Sequence, residues 1–328
     1  MAGGQERILR RRIKSVESTK KITRAMELIA ATRVVKAQER AAAARPYAEE
    51  ITSVILDLVS AGAARDSVLL QSHDEANTAA FVVITSDRGL CGAYNSTIIR
   101  NAEREIANRQ AAGQSYKLFL IGKKALTYFR FRGYDIEDSF LGVTDQPGYD
   151  QAREIATAVR ARFEAGELSE VNLSYWRFRS AGVQQPVIRR FLPLQVEEST
   201  AGAAASGPGA DLEYEPNPTV ILQELLPRYV ESRVYSALLD ASASEHAARQ
   251  KAMKAATDNA EELKTSLTRV MNRARQDAIT TEIMEIVGGA EALKKDADSD
   301  EALMPEMLVP RHLFEQQLDP TDSARTRH

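Results

Sequence analysis

Cysteine is almost absent: Cys91 is the only one in 328 residues, so no internal disulfide can form. A single thiol fits a reducing, cytoplasmic setting. The four histidines (His73, His246, His312 and His328) stand far apart, without the close ligand spacing of a His/Cys metal site. No run of 18 apolar residues occurs, so no membrane-spanning helix is expected. The basic N-terminus lacks the apolar stretch of a secretory signal. With a net charge of −3 and a pI near 6.0, nothing global points to nucleic acid. No metal and no cofactor is expected.

Glycine and proline are missing where they would do most harm to helices. Between Gln5 and Ser60 there is no glycine and one proline, Pro46. Ala, Leu, Arg, Lys and Glu fill the stretch, all good helix formers. Met26, Ala30, Ala37, Ala41, Ala44, Ala48, Ile51, Ile55 and Leu58 recur in steps of three and four, with Arg33 closing the one gap. That is a coiled-coil seam. A helix of this length would be on the order of 80 Å long, too long for a compact globule to cover. From Thr219 to Val287 the pattern returns, with Pro227 as the only proline and no glycine until Gly288. Pro227 predicts a kink or break, with the main helix starting at Arg228. Ala260, Leu263, Leu267, Val270 and Ala274 predict its seam. A domain closing between the two helices makes them antiparallel.

Between the helices the period changes. Ala79 to Thr85, Tyr116 to Ile121, Tyr134 to Phe140, Val171 to Arg179 and Pro186 to Leu194 read as strands. Ser96 to Arg109, Lys123 to Phe131 and Gln151 to Glu164 read as helices. The alternation predicts a small doubly wound, Rossmann-like sheet. The expected fold is therefore α plus α/β: a long antiparallel coiled coil of N- and C-terminal helices with a small α/β domain inserted. Its boundaries are a first shaft helix over 1–62, the α/β domain over 77–196 and a second shaft helix over 219–293. Residues 197–218, rich in Ala, Gly, Ser and Pro, read as linker, and 294–328 as a disordered tail.

Two features could carry chemistry. Ser86-Asp87-Arg88-Gly89-Leu90-Cys91-Gly92 follows a strand and precedes a helix, where a phosphate loop would sit, but it has neither G-x-G-x-x-G nor G-x-x-x-x-G-K-[ST] spacing. Gly122-Lys123-Lys124 lacks the upstream glycine and the hydroxyl residue. A structural turn with an exposed arginine fits better. Residues 1–45 hold twelve Lys or Arg against four Glu, a net of +8, while the whole chain carries −3. That basic helix could be a solvated face, a nucleic-acid or anionic-membrane contact, or a collar facing acidic protein loops. No nucleophile, base and orienting group stand together in a readable motif. Two rival classes follow, a nucleotide-binding enzyme with coiled-coil arms and a basic coiled-coil nucleic-acid binder. The first lacks its glycine spacing and the second predicts salt-sensitive binding.

Four segments decide between these classes. They are IKSVESTKKITRAMELIAATRVVKAQ (13–38), TSDRGLCGAYN (85–95), LLPRYVESRVYSALLDASASEHAARQKAMKAATDNA (225–260) and NRARQDAITTEIMEIVGGAEAL (272–293). In this order the chain resembles the gamma subunits of bacterial F-type proton-translocating ATP synthases over residues 1–293. The resemblance implies a central-stalk rotor with no catalytic site and no cofactor of its own. Its coiled coil would enter a ring of three alpha and three beta subunits. Its α/β domain would rest, with the epsilon subunit, on the proton-carrying membrane c-ring. Torque would couple proton transport to ATP synthesis and regulate ATPase activity, at the cytoplasmic face of the cell membrane and without nucleic acid. The resemblance assigns Arg88 to an acidic loop of a beta subunit, and Arg275 and Gln276, with Thr280 nearby, to a second beta loop. Met26 is expected on the opposed helix near that second region. Ile279, Ile283, Ile286 and Val287 would turn in an apolar sleeve. The tail after Leu293 departs from the family's length.

Overall fold

The computed structural model describes residues 2–60, 63, 67–71, 73, 75–194, 215 and 217–299. They divide between two compact units, one over 14–265 and one combining 1–13 with 266 onward. Two long helices bracket the chain, α1 (Ala2–Ser60) and α5 (Pro218–Ser299). Between them lie β1 (Thr78–Ile84), α2 (Tyr94–Ala111), β2 (Ser115–Ile121), α3 (Lys123–Phe131), β3 (Asp138–Phe140), α4 (Tyr149–Glu164), β4 (Glu170–Phe178) and β5 (Gln184–Leu192). A 3-10 turn at Val68–Leu70 was not anticipated by any apolar period.

Within the 14–265 unit the strands form one sheet in the order β3-β2-β1-β4-β5. The first four are parallel and β5 runs antiparallel at the edge. Alternation along β1 sends Ala79, Phe81 and Val83 to one face and Ala80, Val82 and Ile84 to the other. Both faces are covered, which is why β1 reads as an unbroken apolar run. On one side Ile98, Ile99, Ala102 and Ile106 of α2 and Phe129 of α3 pack on Phe81 and Leu118. On the other, Ile155, Val159 and Phe163 of α4 share a core with the long helices. Ile51, Ile55 and Leu58 of α1 and Leu222, Leu226, Val230, Val234 and Leu238 of α5 belong to that same core. Burying each such side chain is worth roughly 1.5–3 kcal/mol.

The helices run antiparallel in this unit. Lys20 bonds Glu261, Thr257 donates to Thr23 Oγ1 at 2.8 Å, and Lys264 lies 3.7 Å from Glu17. As one number rises the other falls. The α1 seam is as expected: Ala30, Ala37, Ile51, Ile55 and Leu58 are buried, and Met26, Arg33, Ala41, Ala44 and Ala48 half-buried. On α5 the seam is turned by one residue. Ala260, Lys264, Leu267, Thr268, Met271, Ala274 and Ala278 are the covered positions, whereas Leu263 and Val270 are 49% and 47% exposed. Both tracks step by three and four, and hydropathy favoured the one with Leu263 and Val270 over the one with Lys264, whose long stem can cover apolar surface.

Three other expectations are corrected. α5 runs unbroken through Pro227, because Leu222, Leu226, Tyr229 and Val230 around it are buried in the core and hold the turn. β3 is shorter than Tyr134 to Phe140, since Tyr134 leaves the ladder to pack edge-on against Phe129, with centroids 5.1 Å apart. α5 also continues to Ser299, so the tail expected to be disordered from 294 begins as helix. The expected linker lies almost wholly outside the described residues, as does the tail beyond Ser299.

One glycine is dictated by a close approach. Gly122 ends β2 at φ +94°, and a Cβ there would lie 2.3 Å from the Thr85 carbonyl oxygen. Gly133 has a similar φ, +73°, but open space around it. Urea denaturation should therefore show Gly122→Ala losing about 2–4 kcal/mol and Gly133→Ala only about 1 kcal/mol. Equal losses would mean that the left-handed backbone alone matters.

Candidate functional site: the 85–92 loop and its clamp on the long helices

The loop between β1 and α2 is held from within. Asp87 Oδ1 accepts the Lys123 N–H at the start of α3 (3.0 Å), and Oδ2 accepts the Thr144 hydroxyl (3.0 Å). A carboxylate at a helix N-terminus is favoured by the helix dipole. The Ser86 N–H donates to Asn95 Oδ1 (2.9 Å), while Asn95 Nδ2 donates to Ser86 Oγ (2.7 Å) and approaches Cys91 Sγ at 3.2 Å. Burial raises the Cys91 thiol pKa, which keeps it protonated and unreactive. The Ser86 and Asp87 amides are thus engaged by protein side chains, as a structural turn requires and a phosphate cradle would not allow. With these groups turned inward, Arg88 and Leu90 point out. Leu90 is 63% exposed and holds a left-handed φ of +64°, rare for a branched residue.

A second polar layer joins the loop to both long helices. Arg33 of α1 forms an ion pair with Asp145, in the connection between β3 and α4. On α5, Ser242 Oγ and His246 Nε2 reach the Asp145 carbonyl at 3.4 and 3.3 Å. Arg249 bonds Glu245 Oε1 at 2.6 Å, contacts His246 Nδ1 at 3.3 Å and donates to the Gly89 carbonyl at 3.4 Å. Tyr94 donates to the Ala241 carbonyl (3.0 Å), and Trp176, stacked on Tyr94, donates to the Tyr94 carbonyl (2.9 Å). A cavity of about 350 Å³ opens beside this network, with Met26, Ile29, Arg33, Arg88 and Leu90 on its walls.

The charges are tuned by burial. Burial works to raise the Asp145 pKa, but the Arg33 bond and the charges of Arg33, His246 and Arg88 outweigh it and lower the value. Burial raises the Glu245 pKa against the pull of Arg249. It lowers the His246 pKa, so the ring is neutral at pH 7. The geometry agrees, with Nε2–H donating to the Asp145 carbonyl and Nδ1 accepting from Arg249.

The structure brings Met26 and Arg88 together on one cavity wall. Arg275, Gln276 and Thr280 lie in the other unit, all exposed, with the Thr280 hydroxyl bonded back to the Gln276 carbonyl at 3.0 Å. Ile279, Ile283, Ile286 and Val287 are 45–72% exposed, an apolar stretch of the kind that marks a contact surface. Sequence reasoning did not single out Asp145, Glu245, His246 or Arg249 as a group. The one available signal was three polar residues, Glu245, His246 and Arg249, on one turn of an Ala/Ser-rich helix.

A histidine held neutral has a signature. Its contribution to stability is complete above the unfolded value of about 6.5 and is lost as pH falls below it. Between pH 7.5 and 5.5, His246→Gln should lose less stability than the parent chain in denaturant titrations. Parallel losses would show that the ring titrates alike in the folded and unfolded chain and is not held neutral by the fold.

Comparisons with known proteins agree on one group. The sequence model of the family described as ATP synthase matches residues 5–293. An ATP synthase gamma chain of Frankia casuarinae is 51% identical over 294 residues, 88% of this chain and 98% of that one. One of Acidothermus cellulolyticus is 48% identical over 295 residues, covering 89% and 98%. Among solved structures, a chain of the Tetrahymena thermophila mitochondrial ATP synthase central stalk and c-ring is 25% identical, with a TM-score of 0.54 over 72% of this chain and 99% of that one. A chain of a Euglena gracilis mitochondrial ATP synthase OSCP/F1/c-ring structure shares the fold, with a TM-score of 0.63 at 18% identity over 94% and 100%.

Proposed function

This chain belongs to the ATP synthase gamma chain family, and from that premise we propose how its residues perform the work of a central stalk. A gamma chain is a stalk subunit and not the catalytic one. Torque enters through the α/β domain, which rests with an epsilon subunit on the membrane c-ring. It leaves through the paired helices inside a ring of three alpha and three beta subunits. The complex sits at the cytoplasmic face of the membrane, and proton flow through the ring drives ATP synthesis in beta. No described helix of this chain is long and apolar enough to cross a membrane, so its membrane association is indirect.

The observation that carries this reading is the clamp around the 85–92 loop. A shaft transmits torque only where its foot cannot slip on its axle. The clamp ties the loop through Arg249 to α5, and Asp145 to α1 through Arg33. A buried hydrogen bond to a charged group contributes roughly 1.5–3 kcal/mol, and the partly exposed Arg33–Asp145 pair contributes less. The shared apolar core under the sheet adds to the clamp.

The contact residues suit the other half of the task, holding at one angle and releasing at the next. Arg88 meets an acidic beta loop, and an exposed ion pair of about 0–1 kcal/mol breaks cheaply. Arg275 and Gln276, beside Thr280, bond a second beta loop. Ile279, Ile283, Ile286 and Val287 turn in an apolar sleeve, where burial has no preferred direction. Met26, expected near the Arg275 contact, is assigned here to the Arg88 contact instead, because the two residues line one cavity.

The test is reconstitution with alpha, beta and the membrane sector. Arg88→Ala and Arg275→Ala should each lower protons pumped per ATP while circular dichroism stays unchanged, Arg275→Ala more so because its contact is better shielded from water. Unchanged pumping in both would remove these contacts from the coupling path. Cys91 is buried, so a rotation probe belongs on an engineered exposed cysteine such as Ala111→Cys in a Cys91→Ser background.

A further inference from the structure

A second cavity, of about 310 Å³, lies away from the clamp, where α1 and α5 meet the far end of β4. Ala41, Ala44 and Ala48, one face of α1 at helical spacing, leave the hollow that larger side chains would fill. Three arginines line it: Arg45 from α1, and Arg177 and Arg179 from the end of β4. Among the described residues none of their guanidinium groups makes a hydrogen bond or ion pair, unlike Arg33, Arg109, Arg190 and Arg249, which all do. The only carboxylate on the wall is Asp240 of α5. Its volume is at the low end for ligand pockets, and at ~30 Å³ per water it holds about ten waters.

We infer that this cavity is a binding site for a phosphate group, presented either by a free oxyanion or by a lipid head group. The chemistry is that of planar guanidinium forks, which match phosphate oxygens two at a time. Three arginines and one carboxylate line the one cavity, so its wall carries a net positive charge. Burial pushes the Asp240 pKa up to about 6, although Arg177, the Phe178 backbone amide, Arg45 and Arg179 all pull it down. Other charged or titratable groups nearby are Tyr175 of β4 and, acting on it, Arg189 of β5 and Arg233 of α5. Asp240 is thus a weak competitor for the arginines, and weaker still in mildly acid solution. The site is independent of the beta contacts assigned above and uses none of their residues.

The probes are sodium pyrophosphate, titrated into the full-length chain by calorimetry, and vesicles of phosphatidic acid against phosphatidylcholine, by co-sedimentation. Saturable binding is expected, weakened about tenfold or more in Arg177→Gln, the loss of one charge-assisted fork. Arg104→Gln, an exposed arginine on α2, should leave it unchanged, and Asp240→Asn should tighten it severalfold. Ala44→Met fills the hollow without touching charge and should weaken binding too, which guards against Arg177→Gln simply misfolding. Pyrophosphate binding without vesicle capture assigns the site to a free anion; capture by phosphatidic acid that Arg177→Gln abolishes assigns it to a lipid phosphate. The proposal is overturned if neither probe binds, if Arg104→Gln weakens binding as much as Arg177→Gln, or if only an acidic peptide binds.

Discussion

Everything in the 14–265 unit depends on the second face of the sheet being covered by the long helices. A parallel sheet must bury both faces, and here α2 and α3 supply one cover while α4 alone cannot supply the other. The lower turns of α1 and the first turns of α5 complete it. Foot and axle therefore share a single core. Removing either helix would expose Val82, Ile84, Phe119 and Leu173 to water, and the sheet could not stand as a separate module.

Above that core the joint changes character, from apolar contact to hydrogen bonds and charges. Apolar packing tolerates small slides because it has no direction, whereas the bonds of Asp87, Asp145, His246 and Arg249 have both length and angle. The order of the two layers makes physical sense. Bulk burial supplies stability, and the directional layer fixes the angle at which the loop carrying Arg88 is presented. Glu245 shows what this costs: its Oε2 is buried without a partner among the described residues, and its pKa is raised accordingly.

The helices, the four parallel strands and the antiparallel pairing were legible because each rests on a period or an absence that composition displays. β1 betrays itself as a short β-branched run, β2 as a short run of aromatic and aliphatic residues, and α1 by fifty residues without glycine. The seam of α5 was misplaced because two tracks one residue apart satisfy the same spacing, and only tertiary contact selects between them. The residues proposed as contacts came into view through resemblance, since an arginine such as Arg275 on a polar helix face carries no local mark. The clamp was not legible: Arg33, Asp145 and Arg249 are separated by more than a hundred residues at each step, and nothing in a single sequence pairs them.

The alanines of α1 have a mechanical side. Ala37, Ala41, Ala44 and Ala48 bring one methyl each, the last three beside a cavity, while Ile51, Ile55 and Leu58 bring whole branched side chains to the core. At about 0.8 kcal/mol per buried CH₂, the alanine stretch is bound far less tightly per turn than the isoleucine stretch. Two rods fastened lightly along one part and firmly along another do not deform evenly under load. Twist accumulates in the lightly fastened part and leaves the rest straight, so a single helix carries both a compliant section and a stiff base.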